Sequence, residues 1–219
     1  MMARELAIIW AHKDELIDGV CTTAVFSALA GACVLATGAF VAAALMARMR
    51  AVAALARGFV DLMRCTPFLL FVYLIYYGLP SLGIRLDNRS AAFIALLVYH
   101  TAYIAEILRT GWAGRPRDEI DAGHAFGFHG FRLVRRLILP PVFFATSPVL
   151  GNQFIQIIKD SSFLTIIAVP ELTFAANSIQ SNYYIPFAAF IAAVLLYWLL
   201  CSAIELAVAT LRRMSEQFQ

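Results

Sequence analysis

Asn152, Gln156 and Lys159 follow one another at spacings of four and three residues. On a helix, those spacings put two amides and an ammonium group on one face. Asp160 is the next residue after Lys159, so on a helix the two do not face each other. The surrounding run, from about Leu137 to Val169, is strongly apolar. Charged groups in such a run are costly and point to function by default. The shared face reads either as the lining of a polar pathway or dimer interface, or as an interhelical hydrogen-bond network or a helix end near the outer surface. Glu106 with Arg109, and Asp61 with Arg64, are each three apart and read as structural pairs. His12, His100, His124 and His129 are spread out, and the nearest two lack metal-ligand spacing. Cys21, Cys33, Cys65 and Cys201 form no CxxC and read as buried small hydrophobes. No catalytic constellation or metal site emerges, so the chain does not read as an enzyme.

These residues must be positioned by membrane helices. The chain has 219 residues, of which 62% are hydrophobic and 14% charged, against roughly 45–50% and ~25% in a soluble domain. Five apolar spans stand out, at about Thr22–Met46, Leu55–Leu79 (interrupted near Cys65-Thr66-Pro67), Ala91–Leu108, Leu137–Val169 and Ile185–Val208. Lipid offers backbone groups no water, so spans of this length are expected to be helices. The short alternating segments of a β-barrel are not seen. The fold class is therefore all-α, a polytopic membrane protein.

Arginines set the expected orientation. Arg48, Arg50, Arg57 and Arg64 lie between spans one and two. Arg109, Arg115, Arg117, Arg132, Arg135 and Arg136 lie between spans three and four, and Arg212 and Arg213 follow span five. Those segments are expected in the cytoplasm, with the N-terminus outside and the C-terminus inside. Residues 1–19 then form a periplasmic segment, 20–213 the membrane domain with a cytoplasmic loop at 111–136, and 214–219 a cytoplasmic tail. The first twenty residues do not read as a signal peptide. Leu6, Ile9 and Trp10 suit a short helix lying on the outer surface, or else a frayed terminus.

The loop's most polar stretch is RDEIDAGHAFGFHGFRLVRRLILPP, residues 117–141. Pro116 suits a helix start. Asp118, Glu119 and Asp121 favour the positive end of the helix dipole. Ala122, Gly123 and Ala125 offer a small-residue surface, and Gly127 permits a turn. Phe128, Phe131, Val134 and Leu137 recur at spacings of three, which predicts a second amphipathic helix. Two short helices about a turn suit either a protrusion that docks in a partner's groove or a solvated surface loop. Thr66 is expected to cap the helix that Pro67 begins, as a weak candidate for a substrate site or as a plain helix break. Tyr73, Tyr76, Tyr77, Tyr99 and Tyr103 suit packing and aromatic belts better than a cavity lining.

The stretch resembles the EAA loop of ATP-binding-cassette (ABC) importer permeases, E-A-A, three residues, Gly, and a later Leu-Pro. Here these read Asp121-Ala122-Gly123, Gly127 and Leu139-Pro140, so Asp replaces Glu and Gly replaces the second Ala. FVDLMRCTPFLLFVYLIYYGLP (59–80), YHTAYIAEILRTGW (99–112) and SPVLGNQFIQIIKDSSFLTIIAVPEL (147–172) resemble, in the same order, segments of the polar amino-acid permeases. The resemblance covers most of residues 18–213. It implies the type I, MetI-like permease fold in the bacterial inner membrane, and a pairing with a second permease, as homodimer or heterodimer. It also implies two ATPase subunits docked from the cytoplasm and a periplasmic solute-binding protein that delivers a polar amino acid or a derivative. Opine, ectoine or betaine-like solutes use similar permeases, and a passive channel subunit is the remaining alternative. Asp121, Ala122, Gly123 and Gly127 would couple to the ATPase. Thr66, Asn152, Gln156 and Lys159 would line the pathway or gate. The chain has no G-x-x-x-x-G-K-[ST], so it holds no cofactor of its own in this reading and ATP is bound by its partners.

Overall fold

A computed structural model describes residues 2–216 of the chain, with side chains for residues 3–210. The described residues are helical, with no strand. α1 is Met2–Ala11, α2 Lys13–Leu45 and α3 Arg50–Cys65. α4 is Phe68–Tyr73, prolonged by a π-turn at Leu74–Gly78 and a 3-10 turn at Leu79–Leu82. α5 is Asn88–Ala113, α6 Arg117–Ala125 and α7 Gly130–Leu133, with a π-turn at Val134–Ile138. α8 is Leu139–Ser161, followed by a 3-10 turn at Ser162–Ile167. α9 is Leu172–Tyr183 and α10 is Pro186–Glu216.

Four stretches are long and apolar enough to cross a membrane: Lys13–Leu45, Asn88–Ala113, Gly130–Ile167 and Pro186–Thr210. The expected second span is a broken pair, Arg50–Cys65 and Phe68–Leu82, and makes a fifth only if the two count as one. α2 starts at Lys13 rather than near Thr22, because Asp14, Glu15 and Asp18 fit a helix that continues beyond hydrocarbon. At the other end α10 runs unbroken past residue 213, and residues 217–219 of the expected tail lie outside the described residues. The segment before span one is an ordered helix, α1. Its Ile8 and Ile9 pack on buried residues, while Leu6 and Trp10 are exposed.

The chain divides into two compact units. The first comprises the described residues up to Cys33, with Thr66–Tyr99 and Phe154–Ile204. Its core joins Leu16 of α2 to Leu172, Ala176 and Ile179 of α9, and to Ile185, Ala189 and Ala193 at the start of α10. The break before α9 is closed by side chains. Glu171 is buried, and its carboxylate accepts the backbone N–H of Thr173 at 2.9 Å and of Phe174 at 2.7 Å. The Tyr197 hydroxyl donates to the same carboxylate at 2.6 Å. The N–H of Leu172 donates to Thr23 Oγ1 of α2 at 3.1 Å. α5 begins in the same way, with the N–H groups of Arg89 and Ser90 donating to Asp87 Oδ2. Hydrogen bonds from Ser90, first among several, hold the Asp87 carboxyl below its usual range.

The second unit comprises Val34–Cys65, His100–Gln153 and the residues from Glu205 onward. Thr37 of α2 and Thr101 of α5 share a hydrogen bond of 2.6 Å, and the Gln153 amide meets buried His100 at Nδ1, 2.8 Å away. Below them Leu133, Ile138 and Val142 form a small core with Trp112, Ile120, Phe128 and Leu137.

Among the cysteines only Cys201 is buried. Cys21, Cys33 and Cys65 are exposed, and all four are free. The expectation of burial fails because an apolar residue on a membrane helix can face lipid as readily as protein.

The Glu171 cap yields the first prediction. Glu171→Ala strips an acceptor from two backbone amides and one buried hydroxyl, and is expected to destabilise the fold by at least about 2 kcal/mol. Thr23→Val leaves the Leu172 amide unsatisfied, at about 1–3 kcal/mol. Thermal unfolding of the purified protein in detergent checks both. Wild-type melting for the two variants would show that the cap carries no weight.

Candidate functional site

The charged loop is built from Arg115 onward. Arg115 pairs with Glu119 one turn later. Pro116 occupies the cap position rather than the first helical one, with extended ψ of 136°, and α6 begins at Arg117. Asp118 and Glu119 fill its first turn. α6 ends in a Schellman turn: the Phe128 N–H donates to the Gly123 carbonyl at 2.9 Å, and the Gly127 N–H to that of His124 at 3.0 Å. Gly127 sits at φ 79°, a left-handed position that costs other residues free energy. His124 and His129 stack across the turn with their Nδ1 atoms 3.1 Å apart, so one ring donates and the other accepts.

Asp118, Asp121, Ala122 and Ala125 fall at i, i+3, i+4 and i+7 and are all exposed. They form one outward stripe on α6. Ile120 and Gly123 face the other way. Gly123 is buried, and a Cβ added there would lie 2.7 Å from Leu133 Cδ1 and 2.6 Å from Leu137 Cδ2. Of the expected small-residue surface, Ala122 and Ala125 are therefore outside, while Gly123 is the seat on which the next segment rests.

The second helix differs from its expectation. α7 is one turn long and passes through the π-turn into α8. That turn shifts the register, so Leu133 and Ile138 are buried while Phe131 is 76% exposed. Phe126 is 83% exposed at the loop's tip. Sequence reasoning passed over Phe126 and put Phe131 on the inner face. The glycines spaced through Phe126-Gly127-Phe128-His129-Gly130-Phe131 are the signal that the aromatic residues there follow no single helical period.

The polar face of α8 is present. Asn152, Gln156 and Lys159 are all exposed, and Asp160 is buried beside them. The Gln156 amide donates to Asp160 Oδ1 at 2.8 Å. Thr66 lies elsewhere and does not cap α4. Pro67 takes the cap position with ψ 132°, its carbonyl accepts the Phe71 N–H, and the Thr66 carbonyl accepts the Tyr99 hydroxyl at 3.0 Å. Phe68 and Phe71 pack around Tyr99, and Tyr73, Tyr76 and Tyr77 stack on one another, which is packing rather than a cavity lining. Glu106 and Arg109 form the expected pair, with two contacts of 2.8 and 2.7 Å. Arg64 turns to Glu106, 4.0 Å away, instead of Asp61, because that carboxylate already sits in a basic cluster. Among the described residues no group of three or more His, Cys, Asp or Glu could hold a metal ion.

Residues 35–214 match the family model described as "Binding-protein-dependent transport system inner membrane component". The chain is 31% identical over 214 residues to the probable glutamine ABC transporter permease protein GlnM of Bacillus subtilis (strain 168), covering 97% of this chain and 98% of that protein. It is 33% identical over 162 residues to the nopaline transport system permease protein NocM of Agrobacterium fabrum (strain C58 / ATCC 33970), covering 69% and 67%. A crystal structure of an amino acid ABC transporter superposes with a TM-score of 0.87 at 27% identity, covering 94% of this chain and 96% of that one.

The turn gives a second prediction. Gly127→Ala should loosen the loop by about 1 kcal/mol, read as faster amide hydrogen exchange across residues 117–138. Gly58→Ala, in open space on helix α3, is the control and should be neutral or stabilising by up to about 1 kcal/mol. Equal exchange in the two variants would remove the Schellman turn from any role in holding the loop.

Proposed function

The chain belongs to the family of binding-protein-dependent transport system inner membrane components, and on that premise we propose that it is the permease through which an ABC importer moves a polar amino acid, or an amino-acid derivative, across a bacterial inner membrane. As a family member it is a multi-pass membrane protein and a transport subunit, not an enzyme. The family implies an ATPase that supplies the energy and a solute-binding protein that delivers the cargo. In our reading two ATPase subunits dock on the loop, and a second permease, a copy or a paralogue, completes the pathway. The arginine distribution supports an outside N-terminus and an inside loop. The named cargoes of the relatives support a polar amino acid, and the nopaline system keeps opine-type derivatives as a second reading.

One observation carries the coupling role: the exposed stripe of Asp118, Asp121, Ala122 and Ala125, stiffened by the turn at Gly127. Small side chains let a partner approach the helix closely, and the two acids give the contact a charge. Movement imposed on α6 would reach α8 through the Gly123–Leu133–Leu137 contact and the π-turn, a short path with no flexible link. Asn152, Gln156 and Lys159 are then the candidate pathway residues. Their exposure on a single copy of the chain suits either a polar conduit or the face of a second permease. Thr66, beside the break before α4, is the weaker candidate.

Hydrolysis of ATP by the assembled transporter, stimulated by loaded binding protein in proteoliposomes, is the test. Gly127→Pro cannot adopt φ 79° and removes the amide bonded to His124. It is expected to abolish stimulation while the chain still inserts. Ala122→Trp is expected to block co-purification of the ATPase. If Gly127→Pro leaves docking and stimulated hydrolysis intact, the coupling role is wrong.

A further inference from the structure

α3 does not suit a span of its own. Its 16 residues reach about 24 Å, short of a hydrocarbon core of about 30 Å, and they include Arg50, Arg57, Asp61 and Arg64. The three arginines are seven residues apart, so they line one stripe almost parallel to the helix axis. A second face, with Val60 and Met63, is buried against the protein. A third carries Leu55 and Leu62, also seven apart, 77% and 61% exposed. Ala51 and Gly58 lie between the leucines and the arginines, and nothing approaches Gly58 within 4 Å. A helix with one packed face, one bare leucine face and a basic stripe has the make-up of a segment lying in a membrane interface.

We propose that α3 lies in the cytoplasmic leaflet and binds anionic phospholipid headgroups through Arg50, Arg57 and Arg64. Leu55 and Leu62 sit among the acyl chains, and the guanidinium groups reach up to the phosphates. The occupant follows from charge. Asp61 shares the stripe and Glu106 faces Arg64, with Arg109 on the same carboxylate. Four arginines thus stand against two acids, which leaves an excess for lipid. Guanidinium groups bind phosphate through paired hydrogen bonds, which ammonium groups cannot form. The proposal rests on the topology given above, which puts α3 on the same side as the α6 loop.

The test uses the assembled transporter in vesicles of phosphatidylcholine, alone or mixed with phosphatidylglycerol, and native mass spectrometry to count retained lipid. Wild type is expected to keep phosphatidylglycerol over phosphatidylcholine. Arg50→Gln with Arg57→Gln should weaken that preference about thirtyfold, at about fivefold per arginine, and the paired lysine variant should recover part of it. Both positions are exposed, so loss through misfolding is not expected, and unchanged docking of the ATPase checks this. Unchanged retention in the glutamine variant, equal retention of the two lipids, displacement by inorganic phosphate, or a second copy of the chain cross-linked over Leu55 would each overturn the lipid site. The topology is tested apart from this. A single cysteine at Asp118, with the native cysteines changed to serine, should resist an impermeant maleimide in whole cells. Labelling there would overturn the orientation and leave the lipid count to stand or fall alone.

Discussion

A helix that stops within hydrocarbon leaves backbone amides with no water to turn to, and this chain stops its helices repeatedly. Glu171 shows how the constraint is met. It accepts two amides at the start of α9 and a hydroxyl from α10, while Thr23 of α2 takes the amide between. Three segments far apart in sequence converge on one break. The 3-10 turn before it ends at Ala168, in a left-handed conformation at φ 55°, with its amide returned to the Thr165 carbonyl. The apolar core of the first unit assembles around this closure, since Leu172, the residue after Glu171, is fully buried in it.

The charged loop obeys the same rule in a wetter setting. Its backbone is closed by a Schellman turn rather than by a buried carboxylate, and its packing is small: one glycine under two leucines. The two devices suit different work. A buried carboxylate with three donors fixes a junction. A glycine turn with exposed stripes on either side fixes a shape while leaving its surface free for a partner.

Much of this was legible in the sequence, for physical reasons. Long apolar runs in a chain with few charges can only be membrane helices, and Gly127 after a helical segment with acids in its first turn announced the loop. The α8 face was legible because i, i+4, i+7 spacing survives in any straight helix. The remainder depended on features without a local period. The π-turn at Val134–Ile138 adds a residue to the turn and rotates Phe131 outward, and nothing in the run of apolar residues marks it. Pro67 rather than Thr66 caps α4, since only ψ at the proline decides which residue leaves the helix. Three cysteines face outward because hydropathy does not separate lipid from protein as surroundings.

The two departures from the EAA pattern then have different standing. Glycine at 123 costs helix propensity, up to about 1 kcal/mol relative to alanine. It gains contact in return, because a methyl group there would meet the ends of Leu133 and Leu137 at 2.7 and 2.6 Å. Both atoms are the tips of flexible side chains, so alanine would be tolerated only with the leucines displaced. Glycine lets α6 rest directly on the segment that leads into α8. Aspartate at 121 has no such internal account. It is exposed on the outer stripe, one methylene shorter than glutamate, and touches nothing that the fold requires. Its length matters only to whatever meets that stripe, so the first departure belongs to the architecture of this chain and the second to the shape of its partner.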